Sequence, residues 1–130
     1  MPRYTVYLKD KPGTVFAPPN PSRGDQILLV ERPLFEDRNT QNQVGTLTAR
    51  LTVMERSSSG DLLVLGNADH HLAAGRHPGM VSVQGSWRFS DTARVFAIIG
   101  GTGKTWHAAR GTVTFQDIDA TTEQIIYDWT

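Results

Sequence analysis

The chain contains no cysteine. Disulfides, thiolate metal sites and cysteine nucleophiles are therefore excluded. It also has no excess of either charge: thirteen Lys and Arg balance thirteen Asp and Glu. A sequence-independent nucleic-acid binder carries a basic excess, so no nucleic-acid partner is expected. No apolar run approaches the length that spans a bilayer as a helix, and no membrane partner is expected. The opening Met1-Pro2-Arg3-Tyr4-Thr5-Val6-Tyr7 lacks the apolar stretch of a signal peptide, which points to a cytoplasmic protein. Lysine is rare, at Lys9, Lys11 and Lys104 alone, and helical spacing of Leu, Ala and Glu is sparse.

Short alternating runs of Val, Ile, Thr and aromatic residues fill the chain instead. Arg3–Lys9 reads as a first strand. Asp10–Gly24, with Pro12, Pro18, Pro19 and Pro21, reads as a long irregular connection. Gln26–Glu31 is an apolar strand stopped near Pro33, and Glu36–Gln43 is a polar loop. Val44–Glu55 alternates cleanly, with Leu47, Ala49, Leu51 and Val53 on the face expected to point inward and Thr46, Thr48, Arg50 and Thr52 outward. Ser57-Ser58-Ser59-Gly60 is a hairpin loop before a strand over Asp61–Asn67, extendable to Leu72. After a turn at Ala73–Pro78, strands are expected at Gly79–Phe89, Ala93–Ile99, His107–Asp117 and Glu123–Trp129, with Gly100-Gly101-Thr102-Gly103 as a tight turn.

The 130 residues fit one domain, residues 1–130, of all-β class with about eight strands. Closing such a sheet removes its edges and leaves an interior wide enough for side chains or one small ligand. From pattern alone a β-sandwich competes with a barrel. Gly103-Lys104-Thr105 ends like a phosphate-binding loop, but that motif needs glycine where Ile98 stands and a helix where a strand is expected.

Two stretches favour the barrel. Val81-Ser82-Val83-Gln84-Gly85-Ser86-Trp87 resembles a strand of the allene oxide cyclases. Phe96-Ala97-Ile98-Ile99-Gly100-Gly101-Thr102-Gly103-Lys104, with Ala108-Ala109-Arg110-Gly111, resembles the glycine-rich hairpin of dirigent proteins. Gly24-Asp25, Pro33-Leu34 and Val44-Gly45 follow the same order in both families. The resemblance implies an eight-stranded antiparallel, calycin-type β-barrel that assembles as a homotrimer. It implies a cyclase or isomerase that encloses a small, largely apolar organic substrate, such as a natural-product intermediate, and uses no cofactor. The alternative is a lipocalin-like carrier without chemistry.

The resemblance also nominates site residues. Trp87 falls at a pocket aromatic and Leu51 about where allene oxide cyclases place a cysteine, so both are expected to touch substrate. Glu31 falls near an acidic pair of dirigent proteins, and Arg110 matches their motif arginine. Asp69 and His71 share a strand face and form a candidate acid–base pair. His70 and His71 are adjacent and point to opposite faces, so no metal is expected there. Tyr127 shares a face with Glu123, Ile125 and Trp129. One enclosed cavity is expected to gather Trp87, Arg110 and at least one of Glu31, Asp69, His71 and Tyr127. Arg110 would hold negative charge there, and a carboxylate or His71 would move a proton.

Overall fold

The computed structural model describes residues 2–9 and 14–130. Part of the proline-rich connection, over 10–13, lies outside the described residues. The strands are β1 (Arg3–Lys9), β2 (Thr14–Phe16), β3 (Gln26–Phe35), β4 (Gln43–Arg56), β5 (Leu62–Leu72), β6 (Gly79–Arg88), β7 (Ala93–Thr102), β8 (Gly111–Asp117) and β9 (Thr122–Trp129). Among the described residues no helix is long and apolar enough to cross a membrane.

The strands run antiparallel in the order β1-β9-β8-β7-β6-β5-β4-β3-β2, and β1 also pairs with β3 at Tyr7↔Phe35 and Leu8↔Leu34. That last pairing closes eight strands into a barrel, which decides against the sandwich. The three-residue β2 lies outside the ring, on the edge of β3 at Leu28–Val30 that β1 leaves free.

Alternation sorts the side chains as expected on β4. Leu47, Ala49, Leu51 and Val53 are buried, while Thr48 and Arg50 are exposed. On β5 the same period runs on to Leu72, so Leu62, Val64, His70 and Leu72 all face the core.

β3 departs from simple alternation. Leu29 pairs with Ala49, and the next partners are Arg32 and Leu47, so Val30 and Glu31 together oppose Thr48. Glu31 takes the left-handed conformation (φ 55°), and its N–H donates to Thr48 Oγ1 at 3.3 Å. The extra residue of this bulge resets the pleat. Leu29, Arg32 and Leu34 all face inward, and Pro33 no longer ends the strand.

One end of the barrel is plugged. Gly100–Thr102 continues β7 instead of forming a tight turn, and the connection runs from Gly103 to Arg110, with β8 starting at Gly111. The cause is Trp106, which folds back into the barrel and is fully buried. Its indole N–H donates to the His77 carbonyl at 2.9 Å, and its ring packs 4.7 Å from Trp129 and 5.4 Å from Tyr127. Gly101 permits this, because a Cβ there would lie 2.6 Å from the Trp106 carbonyl oxygen. Tyr4, stacked 5.8 Å from Tyr127, completes the plug.

Candidate functional site

The opposite end is open. Its inward positions include Ala49, Gly66 and Ala68, which are too small to fill the barrel, and a cavity of about 270 Å³ results. Leu8, Leu29, Leu47 and Leu51 form one side. Trp87, Phe96 and Phe115 form the other. Their rings meet edge to face at 4.9 Å (Trp87–Phe96) and 5.0 Å (Phe96–Phe115). Gly66 gives Trp87 its place: a Cβ at Gly66 would stand 2.5 Å from Trp87 Cη2 and 2.9 Å from Leu51 Cδ2. The wall is therefore aromatic, shaped by an absent side chain, and open to a flat apolar guest.

The polar members of the lining are few. Arg94 reaches in from β7 with its side chain 12% exposed, and it binds Asp117 (3.1 Å) and Glu123. Arg32 enters through the bulge of β3. Among the described residues, two buried side-chain nitrogens have no hydrogen-bond partner, Arg32 Nε and His70 Nε2.

His70 is fully buried behind two lining residues, Leu47 and Phe115. It pairs across the sheet with Leu47, and its ring lies 5.6 Å edge to face from Phe115. Its Nδ1 is 2.6 Å from the Tyr127 hydroxyl. Burial pushes the imidazole down to about 3, so it is neutral at physiological pH. Burial likewise raises Tyr127 well above the usual tyrosine range. This is a neutral pair set between the cavity and the plug.

The expected site residues divide. Leu51 and Trp87 line the cavity. Tyr127 faces the interior, one layer deeper, against His70. The other four lie elsewhere. Glu31 is exposed, because the bulge turns it out and Arg32 in. Asp69 and His71 do share a face, and it is the outer one; Asp69 accepts from Ser82 Oγ at 2.6 Å. Arg110 is exposed in the connection before β8, where its backbone pairs with Thr130. The expected gathering of Trp87 with Arg110 in one cavity does not form. Among the described residues no group of three or more His, Cys, Asp or Glu is placed to hold a metal.

Reasoning from sequence missed Arg32, His70, Arg94, Phe96, Phe115 and Glu123. For His70 a signal exists. Leu62, Val64, Ala68 and Leu72 are apolar at alternate positions, and His70 falls on that face. For Phe96 and Phe115 the signal is aromatic residues at alternate, otherwise apolar positions of two strands joined in sequence.

The solved structure of a pyocyanin demethylase superposes with a TM-score of 0.77 at 19% identity, covering 98% of this chain and 99% of that one. AbnU, an exo-specific intermolecular Diels-Alderase, superposes with a TM-score of 0.63 at 13% identity, covering 98% and 100%. At these identities the likeness bears on the fold alone. Among curated proteins no sequence matches the chain significantly. The profile of the family described as "Dirigent-like protein" matches residues 9–130, nearly the whole barrel. This chain belongs to the dirigent-like protein family.

Proposed function

We propose that this barrel binds a small, largely apolar organic molecule in its open end and steers that molecule's cyclisation or isomerisation without a cofactor. The observation that carries the reading is the cavity itself. It is walled by Trp87, Phe96 and Phe115 and floored by aliphatic side chains, with a few polar groups at fixed places. Enclosure on this scale restricts a flexible substrate to few conformations and keeps water from a reactive one. The names of the two solved neighbours, a demethylase of pyocyanin and a Diels-Alderase, support small-molecule chemistry in such a barrel. The homotrimer implied by the family is supported by Val95 and Ile99, apolar side chains of β7 that are 59% and 58% exposed. Light scattering that finds a monomer at high concentration removes that part.

Binding is tested with N-phenyl-1-naphthylamine, a neutral apolar fluorophore. Its emission is expected to rise with the wild type and not with Ala68→Leu, which fills the cavity. An equal rise with both proteins refutes the site. Chemistry is tested by incubating an apolar metabolite extract with the protein and following masses by chromatography. Cyclisation and isomerisation conserve mass, so a compound must disappear as another of identical mass appears. Ligand binding with no such conversion favours the carrier.

A further inference from the structure

An ion pair stands in the wall of the apolar cavity. Arg94 on β7 and Glu123 on β9 take inward positions at the open end, in line with Phe96 on the one strand and with Ile125 and Tyr127 on the other. Both line the cavity, and they meet through their charged ends, Arg94 Nη2 and Glu123 Oε1. The Arg94 side chain is 12% exposed and that of Glu123 29%. Among the described lining residues Glu123 is the one carboxylate.

Arg94 is fixed from three sides. Its Nη1 donates to the Asp91 carbonyl at 3.1 Å, and its Nη2 donates to Asp117 Oδ1 at 3.1 Å and to Glu123 Oε1. These acceptors belong to the turn before β7, the end of β8 and the start of β9. Asp117 and Glu123 are opposite each other in the β8–β9 register, yet they differ in place. Asp117 is 43% exposed and lines a shallow outer hollow with Asp119 and Thr121, whereas Glu123 lines both that hollow and the cavity. Asp117 therefore keeps the Arg94 charge partnered whether Glu123 is ionised or protonated. Stability alone does not account for the pair. Taking two charges out of water costs about what their attraction returns, and packed apolar side chains hold a fold as well. A carboxylate on an apolar wall, steadied by a guanidinium that has a second partner, is placed to receive a proton and give it back.

We propose that Glu123 is a catalytic residue, the proton carrier of the cavity, and that Arg94 is the residue that positions it. The inference rests on the pocket reading above and narrows its substrate to a largely apolar molecule with an acidic hydrogen, the O–H of a phenol or enol or the C–H beside a carbonyl. Glu123 takes that hydrogen as a proton, and the electron pair of the broken bond moves into the conjugated system. The carboxylic acid so formed returns the proton to another atom of the same molecule. The turnover adds and removes no atom, as an isomerisation requires. The charged groups around Glu123 are Arg94 on β7, Asp117 on β8 and, elsewhere in the lining, Arg32 on β3; on β1 the residue opposite is the apolar Leu8.

The probe is 5-nitrobenzisoxazole, a flat and largely apolar molecule that a base opens by taking its ring C–H proton. The C–H electron pair enters a nitrile, the N–O bond breaks, and a yellow phenolate is released. Entry of the probe is checked by its displacement of N-phenyl-1-naphthylamine. The wild type is expected to release phenolate with saturation, at a rate that falls as acid protonates the carboxylate. Glu123→Gln, which keeps the size of the side chain, should lower kcat about a hundredfold, leave KM within about twofold, and lose the acid limb of the pH profile. Glu123→Asp should recover part of the rate. Arg94→Met should move the acid limb to higher pH, because a carboxylate without its guanidinium takes up a proton more readily. A merely structural role for Arg94 would lower the rate and leave the limb in place. Glu123→Asp and Arg94→Met carry the test if Glu123→Gln fails to fold. A bound fluorophore that the probe does not displace, a rate equal in wild type and Glu123→Gln, or an acid limb unmoved in Arg94→Met overturns the inference and leaves the pocket standing. Failure of the fluorophore to bind the wild type removes the pocket reading and the proton carrier together.

Discussion

Acidifying this protein from pH 7 to pH 5 is expected to destabilise it through one side chain, His70. In the unfolded chain its imidazole titrates near 6.5, and in the barrel burial pushes it down to about 3. A base whose folded value is depressed binds protons more readily when unfolded. Its contribution to stability is complete above 6.5 and is lost as pH falls from there towards 3. At pH 5 the unfolded imidazole is charged and the folded one is not, so the loss is about 1.36 kcal/mol for each of the 1.5 pH units below 6.5, or ~2 kcal/mol. With a urea dependence of about 2 kcal/mol per molar, the unfolding midpoint falls by about 1 M. The carboxylates held below their usual range, Glu36 by the Tyr4 hydroxyl and Asp37 and Asp119 by backbone N–H groups, start from 4.5 and 3.8, so their losses come at lower pH. The assay is urea unfolding followed by tryptophan emission at pH 7 and pH 5. His70→Leu should be less stable at pH 7, because the buried Tyr127 hydroxyl loses its hydrogen bond to His70, yet it should show little difference between the two pH values. A wild-type midpoint that does not move, or a shift of equal size in His70→Leu, refutes the assignment of a buried neutral imidazole.

Gly66→Ala drives a Cβ into Trp87 and Leu51, so it should cost ~1–3 kcal/mol and displace the indole, read as altered Trp87 emission and weaker binding of the fluorophore. Trp106→Ala opens the plug and strands the His77 carbonyl; thermal or urea unfolding should report a loss of ~3–5 kcal/mol. Arg110→Leu should leave fluorophore binding within about twofold, as expected of an exposed side chain in the connection before β8. A larger fall in a folded protein would return Arg110 to the site.

The barrel was legible wherever one face is buried and the period of two is unbroken. Leu47, Ala49, Leu51 and Val53 face inward as their spacing requires, and Trp87 follows from Val81, Val83 and Gly85. What failed are the places where one residue resets the pleat or leaves it. The bulge at Val30–Glu31 has no glycine or asparagine to announce its positive φ, so Glu31 reads as a cavity candidate and Arg32 goes unconsidered. In the structure Glu31 is exposed and Arg32 lines the cavity. Arg110 was lost because His107–Arg110 was read as strand, whereas Trp106 alone turns into the plug and leaves His107, Ala108 and Arg110 exposed in the connection. Asp69 and His71 were correctly put on one face, but the apolar period of Leu62, Val64, Ala68 and Leu72 was not used to decide which face the core claims. Following β5 on to Leu72 puts His70 inside. The cavity is the least legible feature, because it depends on which small residues, Ala49, Gly66 and Ala68, come together from two strands at one level.

The most direct test of the account is a crystal structure of the protein with N-phenyl-1-naphthylamine. The predicted result is ligand density in the open end of the barrel, its rings against Trp87, Phe96 and Phe115. A ligand found only on the outer face of the sheet, with the interior closed by Trp87 or Phe89, would contradict it.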